Sequence, residues 1–160
     1  MDSPSAGNGF RTAIPCYRWR VDGDSSFRVP VLTFLFYDRV DPMAARLSFR
    51  VRGAQWVDWV FGRELLAGGL TETVGAGDVH VRSLEQNQLR LTLSNRTGTT
   101  DFDLSRTAVQ DAVQRMLALV PAGTETRYID WDRELDGVFI ETGEGGEHAV
   151  NDFNWPDPPN

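Results

Sequence analysis

QWVDWVFGRELLAGGLTETVGAGDVHV, Gln55 to Val81, decides how the rest of the chain is read. From Gln55 to Phe61 the side chains alternate, with Val57, Trp59 and Phe61 on one face and Trp56, Asp58 and Val60 on the other. Apolar bulk on both faces predicts an interior strand packed on two sides. The strand runs directly into a short helix at Arg63-Glu64-Leu65-Leu66-Ala67. Gly68 and Gly69 are expected to close it through left-handed backbone, with Leu70 folding back onto Leu65 and Leu66. Gly75-Ala76-Gly77-Asp78 reads as a second turn before a new strand at Val79 and Val81. No long helix follows these glycines, so they do not form a phosphate loop. The unit is strand, short helix, glycine turn, strand.

Outward from that unit, the chain offers mostly alternating strands. Arg11 to Val21 is an edge-strand candidate broken by Pro15, and Asp22-Gly23-Asp24 is a hairpin turn. Val29 to Tyr37 reads as one nearly continuous apolar strand. Ala45, Leu47, Phe49 and Val51 then alternate with Arg46, Ser48, Arg50 and Arg52, the clearest half-buried pattern in the sequence. Downstream, Leu89, Leu91 and Leu93 alternate after the polar turn Glu85-Gln86-Asn87-Gln88, and Asn95-Arg96-Thr97-Gly98 turns the chain into a strand near Thr99 to Leu104. Val109, Ala112, Val113, Met116, Leu117 and Val120 recur at helical spacing. A second helix is expected over Asp130 to Ile140, with Leu135, Val138 and Phe139 inward. The prediction is an α+β domain over residues 11–140, a single twisted antiparallel sheet of about seven strands with two covering helices and one short helix.

Composition narrows the classes. A length of 160 residues suits one domain, and 41% hydrophobic with 24% charged residues is ordinary for a globular protein. The single cysteine, Cys16, allows no internal disulfide and no cysteine-based zinc site, so a reducing compartment is expected. Residues 1–10 read as a disordered arm without a signal-peptide core, and no run approaches membrane-spanning length, which places the chain in the cytoplasm without membrane insertion. All 16 basic residues are arginine, a bias of the kind a GC-rich coding sequence produces. Net charge is −7, but residues 141–160 form an acidic tail with Glu141, Glu144, Glu147, Asp152 and Asp157 and no arginine, leaving the body at −2. That balance argues against generic binding to a phosphate backbone.

Several quoted stretches together resemble the SsgA-like proteins, sporulation and cell-division regulators of filamentous actinomycetes. They are Tyr37-Asp38 with Asp41-Pro42 and Ala44, Val57 through Leu66, Gly69-Leu70, Gly75 to Val79, Val120 through Glu125, and Asp132 with Glu134-Leu135. They occur in order over residues 30–139. The resemblance implies a non-enzymatic cytoplasmic protein at the cell septum, positioning or recruiting division-ring or cell-wall machinery proteins or family paralogues. It also implies a Whirly-like fold assembled as a homo-oligomer, a trimer.

The residues themselves offer little catalysis. His80 and His148 lack ligand partners at metal spacing, and Cys16 reads as core packing. Asp130, Asp132, Glu134 and Asp136 read as solvated charges at a helix start. No catalytic, cofactor or metal site is assigned. The candidate partner-binding residues are Arg46, Arg50 and Arg52 on one strand face, Trp56, and Phe153 and Trp155 in the tail run Asn151-Asp152-Phe153-Asn154-Trp155-Pro156. The alternative use of the arginines is against Asp or Glu on neighbouring strands, or against the acidic tail itself. The alternative function is a single-stranded nucleic-acid-binding module.

Overall fold

The computed structural model describes residues 7–132. Ten strands and two α-helices lie wholly among them, and the backbone is again helical at 131–132, where the second helix was expected. In chain order they are β1 (Gly9–Ala13), β2 (Cys16–Asp22), β3 (Ser25–Pro30), β4 (Thr33–Asp38), β5 (Ala44–Arg50), β6 (Trp56–Gly62), α1 (Arg63–Gly69), β7 (Val74–Ala76), β8 (Val79–Ser83), β9 (Gln88–Asn95), β10 (Gly98–Ser105) and α2 (Arg106–Leu119). The class is α+β and every strand pairing is antiparallel, but the strands form two sheets instead of one, in the orders β1-β4-β5-β6 and β3-β2-β10-β9-β8-β7.

The two sheets share one bent hairpin. The expected edge strand Arg11–Val21 divides at Ile14-Pro15, and the expected strand Val29–Tyr37 divides just after Pro30. These breaks face each other, since Ile14 N–H donates to Thr33 O and Val31 N–H to Cys16 O, both at 3.0 Å. Proline brings no N–H to a ladder, so both ribbons turn at the same level and give one limb to each sheet. β2 consequently lies inside the larger sheet, so of the two halves of the expected edge strand it is β1 that forms an edge. Gly9 and Phe10, assigned from the sequence to the disordered arm, pair with Asp38 and Tyr37 in the β1–β4 ladder.

Inside the bend, both sheets contribute to one core. Leu35, Leu47, Phe49 and Trp59 from the smaller sheet join Leu91, Phe102 and Leu104 from the larger, and the Phe49 and Phe102 rings stack with centroids 4.4 Å apart. α1 packs on β7, β8 and α2, while α2 packs on β9 and β10. Ser105 starts α2 by accepting the Ala108 N–H on its hydroxyl.

Two expectations around α1 change. The helix continues through Gly69 and closes on Leu70 in right-handed backbone. Gly69 is there for space, since a Cβ would run into the Val81 side chain. The left-handed glycine of the unit is Gly77, φ +57°, in the β7–β8 turn. β6 is also an edge strand, with Trp56 and Val60 exposed on its outer face. Beyond α2, a 3₁₀ turn spans Glu125–Tyr128. Residues 133–140 of the expected second helix, the 141–160 tail with Phe153, Trp155 and His148, and residues 1–6 of the arm lie outside the described residues.

Candidate functional site

Among the described residues, three arginine clusters differ in how open they are. Arg63, the first residue of α1, is 5% exposed. Its Nη1 donates to Tyr37 OH (2.8 Å), Val120 O (2.8 Å) and Met116 O (3.4 Å), and its Nη2 donates to Glu125 Oε1 at 2.7 Å. The guanidinium therefore closes the C-terminal end of α2, binding the carbonyl of the C-cap residue Val120 and sharing Met116 O with the Val120 N–H, where a cation is favoured. The Tyr37 hydroxyl passes its own hydrogen to Pro42 O at 2.8 Å. Burial pushes the Tyr37 phenol above its ordinary value, so it keeps that proton, and the Arg63 hydrogen bond holds Glu125 below the ordinary carboxylate value. Among the described residues, the Arg63 donors and the Tyr37 hydroxyl are taken up by groups of the chain itself.

The second cluster lies on the outer face of the larger sheet. Asp103, 2% exposed, accepts from Trp19 Nε1 (2.7 Å) and from Arg90 Nε (2.8 Å) and Nη2 (3.1 Å). The Asp103 hydrogen bond raises the Arg90 pKa. This network is satisfied internally.

The outer face of the smaller sheet is different. Register aligns Arg11, Phe36, Arg46 and Val60 across its four strands, with Phe34, Ser48 and Asp58 in the next row and Arg50 beside Trp56. Arg46 lies 4.2 Å over the Phe36 ring, Arg11 5.3 Å over Phe34, and Arg50 6.0 Å over Trp56. The Trp56 ring, on a residue 43% exposed, has its centroid 5.8 Å from that of Phe34. A cavity of about 490 Å³ opens here, with Arg11, Phe36, Arg46, Val60, Asp38 and Asp41 in its wall. The face offers large rings, forked cationic donors and a concavity, which suits an acidic or aromatic partner.

Of the residues nominated from sequence, Arg46, Arg50 and Trp56 meet on this face. Arg52 does not, because β5 ends at Arg50 and Arg52 falls in the bend beyond it. A neighbouring carboxylate does take part: Asp58 meets Arg46 at 3.3 Å and accepts the Ser48 hydroxyl. Arg50 instead donates to Gly53 O at 3.3 Å. Arg11, Phe34 and Phe36 were missed. In Phe34-Leu35-Phe36-Tyr37 both faces carry large apolar or aromatic side chains, so no period separates the open side from the core; register against β5 was the missing signal.

The reactive side chains are unpromising for catalysis. Cys16 is 4% exposed and burial pushes its thiol up to about 12, which keeps it protonated at neutral pH. His80 is exposed on β8, its ring over Gly75. Among the described residues, no group of three or more His, Cys, Asp or Glu is arranged to hold a metal ion. No helix there is long and apolar enough to cross a membrane.

A family model described as Streptomyces sporulation and cell division protein, SsgA, matches residues 31–125. The sporulation-specific cell division protein SsgB of Streptomyces coelicolor is 36% identical over 137 residues, covering 82% of this chain and 98% of that protein. SsgB of Kineococcus radiotolerans is 36% identical over 133 residues, covering 75% of this chain and 80% of its own. Among solved structures, the SsgA-like sporulation-specific cell division protein of Thermobifida fusca superimposes with a TM-score of 0.70 at 30% identity, covering 85% of this chain and 99% of that one. An SsgB structure described with mutations that correlate to longitudinal cell division during sporulation of Streptomyces coelicolor gives a TM-score of 0.66 at 32% identity, covering 78% and 100%. The whole Arg63 cluster, from Tyr37 to Glu125, falls within the matched stretch. The chain belongs to the SsgA family of actinomycete sporulation and cell division proteins.

Proposed function

We propose that this protein is a non-enzymatic adaptor of sporulation septation, acting in the cytoplasm at the cell septum and presenting the outer face of the β1-β4-β5-β6 sheet to a component of the division or wall-building machinery. The observation that carries this reading is that face: three arginines over three aromatic rings on an otherwise well-packed domain. The names of its relatives, sporulation-specific cell division proteins, supply the process. Recognition runs through Arg46, Arg50 and Trp56, with Arg11, Phe34 and Phe36 completing the surface. Arg52 flanks it. The domain works as a homo-oligomer, a trimer by family resemblance, and that resemblance also carries the Whirly likeness of the fold. A functional fluorescent fusion in a sporulating actinomycete tests the reading. Bands at nascent septa, lost on Arg46→Glu with Arg50→Glu while protein levels hold, are expected; unchanged septation would sink it.

The same face supports one second reading. Phe34, Phe36 and Trp56 together offer ring surface on which bases stack, beside arginines suited to phosphates. A body charge of −2 works against it. Salt-sensitive binding of a single-stranded oligonucleotide, abolished by Arg50→Glu, would put this reading first.

A further inference from the structure

The acidic tail is the chemical complement of the open face. Residues 141–160 bring five carboxylates, no arginine, and two large rings in Phe153 and Trp155. On the face, Arg46 already meets Asp58, while Arg11 and Arg50 form no ion pair with a carboxylate among the described residues. Their guanidiniums lie over rings, a geometry that leaves in-plane donors for a carboxylate.

The route of the chain brings the two together. Tyr128, Ile129 and Trp131 share a surface cavity of about 540 Å³ with Val40, Asp41 and Pro42. Asp41 also stands in the wall of the cavity that contains Arg11, Phe36 and Arg46. The described chain thus ends, at Asp132, next to the rim of the open face. From Asp132 to Glu141 the extended backbone reaches roughly 30 Å, about the width of a small domain. The tether is long enough, and its charge has the right sign.

We propose that the segment Glu141–Asn160 docks in cis on the outer face of the β1-β4-β5-β6 sheet, its carboxylates on Arg11, Arg46 and Arg50 and its Phe153 and Trp155 rings against Phe34, Phe36 and Trp56. This goes beyond the septal reading, because it concerns the chain's own occupant of the face and holds whichever partner the face serves. Its consequence is competition: a partner gains the face only by displacing the tail. The SsgB of Streptomyces coelicolor is covered almost in full while 82% of this chain is used, so this chain carries sequence beyond that match.

The test uses the full chain with Asn154→Cys carrying a nitroxide; the native Cys16, buried and protonated, stays unlabelled. Amide signals of Arg46, Arg50 and Val60 are expected to broaden, independently of protein concentration. The broadening should fall at least roughly threefold in about 0.5 M salt, where the screening length is only about 4 Å. Arg46→Gln with Arg50→Gln should give the same loss while signals of β8 and β9 keep their positions. Broadening confined to other surfaces, or insensitive to salt, overturns the proposal. So does broadening seen only when labelled chains are mixed with isotope-enriched unlabelled ones, which makes the occupant a second copy. Should the double substitution disturb the fold, the salt titration of the otherwise native chain decides alone. Septal imaging is independent of all these readouts, so failure of the docking and failure of the septal role are separable.

Discussion

Arg63 is 5% exposed and gives its two Nη groups to a phenol, two carbonyls and a carboxylate of its own chain, whereas the Arg46 side chain is 44% exposed and divides itself between Asp58 and the face of Phe36. The residue type is the same, and what differs is how many donors the fold has already used. A guanidinium closed in by chain oxygens is architecture, because desolvating it is offset only while every partner stays in place. One spread over a ring in water keeps donors for a visitor. The contrast explains how one domain carries sixteen arginines, some closed in as internal fasteners and some left on an open surface.

Arg63→Ala should break the fastener and give the largest effect. It strands Val120 O at the end of α2, removes the cation beside Glu125 and leaves the Tyr37 hydroxyl with one partner fewer. A loss of about 3 kcal/mol is expected, measured as a shift of the urea midpoint at constant slope. A loss as small as that of a surface arginine would erase the distinction between the two sites. Arg63→Lys is the next step down, at about 1–2 kcal/mol. An ammonium keeps the charge but cannot reach Tyr37, the α2 carbonyls and Glu125 with one planar fork.

The fastener was only half legible in the sequence. The strands at Ala45–Val51, Leu89–Leu93 and Thr99–Leu104 and the helix around Val109–Val120 were readable because each has a single apolar period matching its geometry. Val29–Tyr37 was not divisible, since a nearly continuous apolar run carries little mark of where it changes sheets; the mark lay in Pro15 and Pro30, two prolines on paired limbs close to the same level, with Pro30 opposite Tyr17, a proximity that is a tertiary fact. Gly68-Gly69 looked like a helix stop, and only the proximity of Val81 reveals that Gly69 serves close packing. Arg63 reads locally as a solvated residue at a helix start. Its burial depends on Tyr37 and Glu125, 26 and 62 positions away. On the open face, Arg46, Arg50 and Trp56 could be placed together from sequence because polar and aromatic outliers interrupt apolar alternation, and Phe34 and Phe36 could not because they do not.

A third prediction separates the two arginine settings by pH. Arg63 holds the Glu125 carboxyl below its usual value of 4.5, so near that pH the folded chain binds fewer protons there than the unfolded chain. This contribution is complete above the usual carboxylate value and is lost as pH falls through the lower folded value. Acid titration of the native chain should therefore show stability falling below about pH 4.5, and Glu125→Gln should flatten that part of the curve. If the Gln variant keeps the same acid slope, Arg63 does not act through Glu125.

The smallest effect on stability is expected on the open face, and there the smallness is itself informative. Arg46 and Asp58 are both well exposed and 3.3 Å apart, a separation at which water and salt screen most of the attraction. Among the described residues, Arg50 is held by Gly53 O and the Trp56 ring. Arg46→Gln and Arg50→Gln should each move the unfolding free energy by less than about 0.5 kcal/mol, since no buried partner is left behind. Septal recruitment by the same two substitutions should nevertheless collapse, because a partner's carboxylates lose both forked donors and the rings lose their flanking charge. A face that can be changed at almost no cost in folding but at large cost in recruitment is one the fold does not need for itself. Should thermal denaturation show the double variant destabilised as much as Arg63→Lys, the open face is a second fastener, and recognition must be sought elsewhere on the domain.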